Sequence, residues 1–244
     1  MCGIVGYAGR RRAAPIIIDG LRRLEYRGYD SFGVATVGPR VEVYKRCGRI
    51  PQSLPDTGGM KGSLGIGHTR WATHGAPSDE NAHPHTDCTG RIAVVHNGII
   101  ENYASLREEL GARGHRFRSE TDTEVIAHLI EEQYRGDLLG AVEESVRALE
   151  GSYALLAVAE GERRIVAARR ASPLVLGLGD GETLAASDMT PLLEFTERVV
   201  FAEDGDVISI TPQGAEIRNA GRPVDRPVTR PTAMPGAAVD KPAE

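Results

Sequence analysis

The chain has 244 residues, of which 41% are hydrophobic and 26% charged, with a formal net charge of -5. This composition supports a folded core in one large domain or two small ones and excludes disorder throughout. The acidic balance argues against a nucleic-acid partner, and no apolar run approaches the roughly 20 residues of a membrane helix, the longest clean one being Tyr153 to Ala159. Arg10, Arg11 and Arg12 follow the apolar N-terminal segment instead of preceding it, the reverse of a signal peptide, so the expected location is cytoplasmic. Cys2, Cys47 and Cys88 are too few and too scattered for a zinc knuckle, and their odd number argues against a disulfide framework.

In chain order, Ile4 to Ala8 reads as a buried strand ending at Gly9. Pro15 suits the first turn of a helix carrying Ile17, Leu21 and Leu24 on one face, with Gly28 placed to stop it. Ser31 to Val37 and Val41 to Arg46 predict strands joined at Gly38-Pro39, and Ser63 to Thr69 follows a Gly-rich loop over 55–62. From Trp71 to Gly90 there is no periodicity, and an unstructured stretch of that length inside a domain is commonly functional. Arg91 to His96 predicts a strand broken by Asn97-Gly98, then a helix marked by Tyr103, Leu106 and Leu110. Thr121 and Glu124 form a capping-box pattern that opens another helix, and a further helix is expected from Leu138 to Leu149. Seven short strands between Tyr153 and Arg218, with one short helix near Thr190 to Leu193, complete a layered α+β domain with largely antiparallel sheets. Residues 1–220 are therefore read as the domain, and the proline-rich, aperiodic 221–244 as a tail or linker.

Several residues could carry chemistry. Loss of Met1 would leave a thiol and an α-amine together on Cys2, and an amine of pKa near 7.7–8.0 can take a proton from a thiol of pKa near 8.5. The same residue could equally be an inert thiol opening a buried strand. Asn97-Gly98 offers an amide donor beside an unobstructed backbone N–H, the makings of an oxyanion hole, or else a plain tight turn. Arg70 could pair bidentately with a carboxylate and Trp71 could close over a ligand, although a solvated Arg and a core Trp are the ordinary alternatives. Asp122, placed in the first turn of the helix capped by Thr121, suits the helix dipole or a ligand ammonium group. His83 and His85 flank Pro84 without further donors at ligand spacing, a weak metal signal.

Together MCGIVGYAG at the start, LEYRGYDS at 24–31, HTRWATHG at 68–75, NAHPH at 81–85, HNGIIEN at 96–102 and SETDTEVIAHL at 119–129 resemble the class II glutamine amidotransferases. More narrowly they resemble the glutaminase domain of glucosamine-6-phosphate synthase, over Met1 to about Arg218. The resemblance implies the four-layer αββα sandwich of N-terminal nucleophile hydrolases. It also implies that L-glutamine is hydrolysed through a thioester on Cys2, with Asn97 and Gly98 as oxyanion hole and Arg27 and Gly28 lining the nucleophile's surroundings. Arg70 is then expected on the glutamine α-carboxylate, Asp122 on its α-ammonium, and Trp71, Thr73 and His74 in a lid over the substrate. No cofactor and no metal are expected.

In the resembled synthase the ammonia goes to fructose 6-phosphate on an isomerase half, which is expected to be absent here. The tail does not look like the linker into such a half, so a stand-alone donor to an ammonia-accepting partner is favoured over an excised synthase domain. Phe32 stands where the family pattern calls for a small residue. A non-catalytic or partner-gated glutamine-binding subunit is the alternative, against which intact Cys2 and Asn97 speak.

Overall fold

Alternation along one strand sets the layering. In the computed structural model, which describes residues 2–53, 57 and 59–231, β1 (Gly3–Ala8) turns Ile4 and Ala8 toward an interior between two sheets and Val5 and Tyr7 toward α1 (Ala13–Arg22). A period of two in side-chain direction thus lets one strand face two apolar compartments, and β1 is buried at every position.

Around β1 the first sheet adds β2 (Ser31–Val37), β3 (Val41–Cys47), β4 (Leu64–Arg70), β9 (Val175–Leu178), β10 (Thr183–Ala186), β11 (Val199–Phe201) and β15 (Val228–Thr229). Their order is β15-β11-β9-β10-β1-β4-β2-β3. The second sheet contains β5 (His85–Thr86), β6 (Ile92–Ile100), β7 (Gly151–Ala159), β8 (Ile165–Arg170), β12 (Asp206–Thr211), β13 (Gly214–Asn219) and β14 (Arg222–Pro223), in the order β14-β13-β12-β8-β7-β6-β5. Pairing within both sheets is antiparallel, as β1 with β4 and β6 with β7 illustrate.

Ile4, Ile66, Val95, Leu156, Ile165 and Ile208 fill the space between the sheets. Ile17, Ile18 and Leu21 of α1 cover the outer face of the first sheet. On the outer face of the second lie α2 (Tyr103–Ala112), α3 (Glu124–Gln133) and α4 (Leu138–Ser145), whose Leu106, Ile126, Ile130 and Val142 pack on Val94, Leu155 and Val166. The expected αββα sandwich is the result. Each buried aliphatic side chain of this kind contributes about 1.5–3 kcal/mol of transfer free energy.

Four local expectations are revised. β6 does not break at Asn97-Gly98: both residues stay paired with Ala154 and Tyr153 of β7, because Gly98 takes φ 125° within the ladder. α1 ends at Arg22, and Leu24 reaches the core from the connection to a single 3₁₀ turn over Glu25–Arg27. The capping box does not form, since Glu124 instead accepts from the Arg118 and Ser119 amides at 2.8 and 2.7 Å and Thr121 Oγ1 pairs with His85 Nε2 at 3.0 Å. α3 therefore starts at Glu124, leaving Asp122 ahead of the helix. Thr190 to Leu193 forms turns, closed by the Leu192 amide on the Met189 carbonyl at 2.8 Å, and no helix.

Beyond Gly221, where composition predicts a tail, Arg222–Pro223 pairs with β13 and Val228–Thr229 with β11. The last stretch of that expected tail, 232–244, lies outside the described residues.

Candidate active site

Cys2 sits one residue ahead of β1, and three elements hold it. Arg27 Nε and Asn97 Nδ2 both donate to its carbonyl oxygen at 3.0 Å. The Trp71 amide donates to its sulfur at 3.2 Å. That last contact depends on Gly28, where a Cβ would lie 2.8 Å from Trp71 N and 2.9 Å from the Arg70 carbonyl carbon. Burial pushes the Cys2 thiol pKa up, and the Trp71 N–H and the nearby Arg70 charge pull against that. A general base next to the sulfur therefore has work to do.

Arg70 closes β4 and is 3% exposed, with burial pulling its pKa down despite Cys2, Asp122 and Asp30 nearby. Its Nη2 donates to the His74 carbonyl and, at 3.1 Å, to that of Gly75, which shapes the loop after Trp71. Its buried Nη1 has no hydrogen-bond partner among the described residues. A desolvated guanidinium nitrogen left unpaired is costly unless a ligand supplies the acceptor. Asp122, 5% exposed, spends Oδ2 on the Ile100 amide at 2.8 Å, while Oδ1 lies 4.0 Å from His74 Nδ1. Arg70, Asp122, Thr73 and the Cys2 thiol share one small recess with Thr121 and Thr123.

Asn97 is oriented from behind. His68 Nε2 lies 3.0 Å from the His96 carbonyl and 3.1 Å from Asn97 Oδ1. Both are acceptors toward a donor, so Nε2 carries the ring proton and Asn97 must turn its NH₂ toward Cys2. Of the two amide protons one meets the Cys2 carbonyl, and the second has no further partner among the described residues and can serve a substrate oxygen. His68 is fully buried, which lowers its pKa to about 3 and keeps the ring neutral, and it stacks on His83 at 4.0 Å between ring centres. At Gly98, φ of 125° and a Ser152 oxygen 2.0 Å from any added Cβ leave room for glycine alone. His96 donates from Nε2 to the Ser152 carbonyl at 3.4 Å and accepts from Thr123 Oγ1 at 2.9 Å, which ties the Asn97 strand to the start of α3.

A second cavity of about 300 Å³ opens on the other side of Cys2, lined by Arg27, Asn97, Gly98, Ile99 and Ser172. That is the small end of the range for ligand pockets. Trp71 stands half-exposed over both recesses, edge-on to Tyr29 at 6.0 Å, with Thr73 beside it. His74 rests edge-on against Tyr103 at 5.3 Å. Roomier depressions elsewhere, such as that around Arg163 and Gln213, contain no cysteine.

All ten expected residues, Cys2, Arg27, Gly28, Arg70, Trp71, Thr73, His74, Asn97, Gly98 and Asp122, therefore gather around one thiol. His68, Asp30 and Thr123 were not anticipated. Asp30 accepts from the Ala72 amide at 2.9 Å and anchors the loop after Trp71. His68 left a readable trace: β4 alternates Leu64, Ile66, His68, Arg70 on one face, so two polar residues occupy positions where core residues are due. His83 and His85 face each other at 4.7 Å between ring centres but join no converging set of metal donors among the described residues.

Comparison with known proteins agrees with this geometry. A family model for the glutamine amidotransferase domain matches residues 68–194. Glutamine--fructose-6-phosphate aminotransferase (isomerizing) of Thermus thermophilus is 59% identical over 228 residues, covering 92% of this chain and 38% of that protein. The enzyme of the same name from Symbiobacterium thermophilum is 57% identical over 243 residues, 98% of this chain and 40% of its own. The chain thus spans about two fifths of the length of these relatives. Among solved structures, glutamine phosphoribosylpyrophosphate amidotransferase from B. subtilis superposes with TM-score 0.77 at 27% identity, covering 89% of this chain and 49% of that one. Motifs, fold and the family match over residues 68–194 agree, and the chain belongs to the glutamine amidotransferase domain family.

Proposed function

We propose that this domain hydrolyses the side-chain amide of L-glutamine to glutamate and ammonia, with Cys2 as nucleophile. The observation that carries the reading is the unpaired, buried Arg70 Nη1 beside Asp122 on the recess that holds the Cys2 thiol. A cation and a carboxylate presented together match the α-carboxylate and α-ammonium of a free amino acid. After removal of Met1, the α-amine of Cys2 accepts the thiol proton and the sulfur attacks the amide carbon. The second Asn97 proton and the Gly98 backbone receive the oxyanion. The ammonium returns its proton to the departing nitrogen, ammonia leaves, and a thioester remains. Water, deprotonated by the same amine, cleaves the thioester and restores the thiol. Arg27 and Gly28 fix the nucleophile, and Trp71, Thr73 and His74 cover the bound substrate.

The relatives are named for transfer to fructose 6-phosphate, and ammonia made here is proposed to pass to an acceptor of that sugar-phosphate class on a further domain or a separate synthase subunit. The glutaminase unit is assigned to the expected 1–220 together with the paired strands β14 and β15 that follow it. A cytoplasmic location suits the free thiols of Cys2, Cys47 and Cys88. The test compares glutamine with the analogue lacking its α-ammonium group. Turnover of glutamine with at least about 10²-fold preference supports the reading, because a site built for a polar group rejects substrates that lack it. Equal turnover of both contradicts it.

A further inference from the structure

Where α3 meets the β5–β6 turn and the connection after α2, four side chains from three separate segments bring one ligand atom each to a common point. Cys88 comes from the turn between β5 and β6, His115 from the connection after α2, and His128 with Glu131 from α3. Their four atoms lie within 4.8 Å of one another. Cys88 Sγ is 3.6 Å from Nδ1 of both His115 and His128. The two Nδ1 atoms are 3.2 Å apart, and Glu131 Oε2 is 3.0 Å from one and 3.1 Å from the other.

These separations can be set against a tetrahedron. With metal–nitrogen or metal–oxygen bonds near 2.05 Å and a metal–sulfur bond near 2.3 Å, the edges come to about 3.3 Å between N or O atoms and about 3.6 Å between N and S. Five of the six edges match within a few tenths of an ångström, and the sixth, between Cys88 Sγ and the Glu131 oxygen, is at most 4.8 Å. Without a metal, two Nδ1 atoms at 3.2 Å share a single proton as an N–H···N bond, whereas an ion at their centre would take the lone pair of each.

The surroundings point the same way. With both Nδ1 atoms inward, both rings carry their proton on Nε2, and each Nε2 faces a carboxylate: His128 toward Glu124 at 3.8 Å, His115 toward Glu132 at 3.5 Å. Carboxylates behind the distal nitrogen are the usual support of metal-bound imidazoles. The Arg116 amide points at Cys88 Sγ from 3.5 Å, a donor for a thiolate. Phe117 packs edge-on to the His128 ring at 4.6 Å and closes the apolar side.

We propose that Cys88, His115, His128 and Glu131 bind one structural zinc ion. One thiolate, two imidazoles and one carboxylate are a borderline-soft set that suits Zn²⁺ and not Mg²⁺ or Ca²⁺. The thiolate and carboxylate balance the charge of the ion, and the Cys88 proton is released on binding. With four protein ligands the site has no open position, so it braces structure and performs no chemistry. It pins α3 to the β5–β6 turn and to the end of α2, and α3 begins two residues after Asp122.

The experiment measures metal content of the full chain by elemental analysis after removal of loose metal, together with Co²⁺ replacement and thermal melting. About one zinc ion per chain is expected. With Co²⁺, tetrahedral-intensity visible bands and a sulfur-to-cobalt charge-transfer band are expected, the latter lost in Cys88→Ser. Glu132→Gln, which leaves all four ligands in place, weakens zinc binding roughly 10- to 100-fold. Zinc raises the melting temperature of the natural chain but not of Cys88→Ser. Metal content well below one ion per chain under saturating zinc, or bound metal that Cys88→Ser leaves unchanged, overturns the assignment.

Discussion

Cys2 and Cys88 both lie in histidine-rich surroundings, and the way each sulfur is contacted separates their roles. At Cys2 the bonded partner is the Trp71 amide, while His83 and His96 line the same recess, His68 aims the Asn97 amide and His96 ties its strand to α3. At Cys88 two imidazole nitrogens and a carboxylate oxygen converge on the sulfur itself. A nucleophile needs a sulfur left free toward substrate with its supports on the backbone around it. A ligand needs its sulfur enclosed by other donors. The same residue types serve opposite ends because of which atoms point inward.

This contrast can be broken by mutation. Asn97→Ala, which removes the oxyanion donor, should cost about 10² to 10³ in kcat for glutamine hydrolysis and leave zinc content unchanged. Arg70→Lys keeps the charge but loses the fork, so steady-state kinetics should show KM for glutamine raised roughly 10- to 150-fold, the equivalent of about 1.5–3 kcal/mol for a hydrogen bond to a charged group. Cys88→Ser should do the reverse: zinc is lost and the melting temperature of the zinc-saturated protein falls, while kcat at a temperature well below melting stays within about 2-fold, as expected of a substitution remote from the reacting atoms. If Cys88→Ser abolished turnover in a folded protein, the division between the two thiols would fail.

A smaller and more general effect follows from the ring layer behind Cys2. Burial lowers the pKa of His68 to about 3, and also lowers those of His83, His85 and His96. Unfolded histidine takes up its proton near pH 6.5. Below that pH the unfolded chain therefore binds more protons than the folded one, and stability falls as pH drops from about 6.5 toward the folded values. Melting temperatures measured at pH 7.5 and 5 should decline toward the lower pH, and His68→Gln should reduce the slope. A melting temperature that rises toward pH 5 would show that these rings are protonated in the fold.

Much of the sandwich was legible because strand alternation and turn residues are local signals. Ile4, Ala8, Val5 and Tyr7 announce a strand with two apolar faces, and the helix over Ile17 and Leu21 follows from its period. Where local rules competed with tertiary contacts, they lost. Asn97-Gly98 has the composition of a turn, but pairing with β7 keeps it in the ladder and the positive φ of Gly98 is absorbed there. Thr121 and Glu124 have capping-box spacing, but His85 and the 118–119 amides claim their side chains first.

The two sites differ in the same way. The residues around Cys2 fall in compact motifs whose side chains suit acyl transfer, so they could be named from the sequence. The residues around Cys88 are spread from 88 to 131 with no close spacing other than His128 and Glu131 one helical turn apart. Only folding of β5, β6, α2 and α3 onto one another brings them together, and no pair of cysteines or histidines at ligand spacing marks them in the sequence.

The most direct test of the account is glutamate release from L-glutamine by the purified chain, with intact mass confirming loss of Met1 and Cys2→Ala measured alongside. The account predicts turnover in the processed chain that falls by more than about 10⁴-fold in Cys2→Ala, with a mass shift equal to a glutamyl group when the thioester is trapped by acid quench. Turnover that survives in Cys2→Ala, or none in a folded chain whose mass shows Cys2 at its N-terminus, would contradict it.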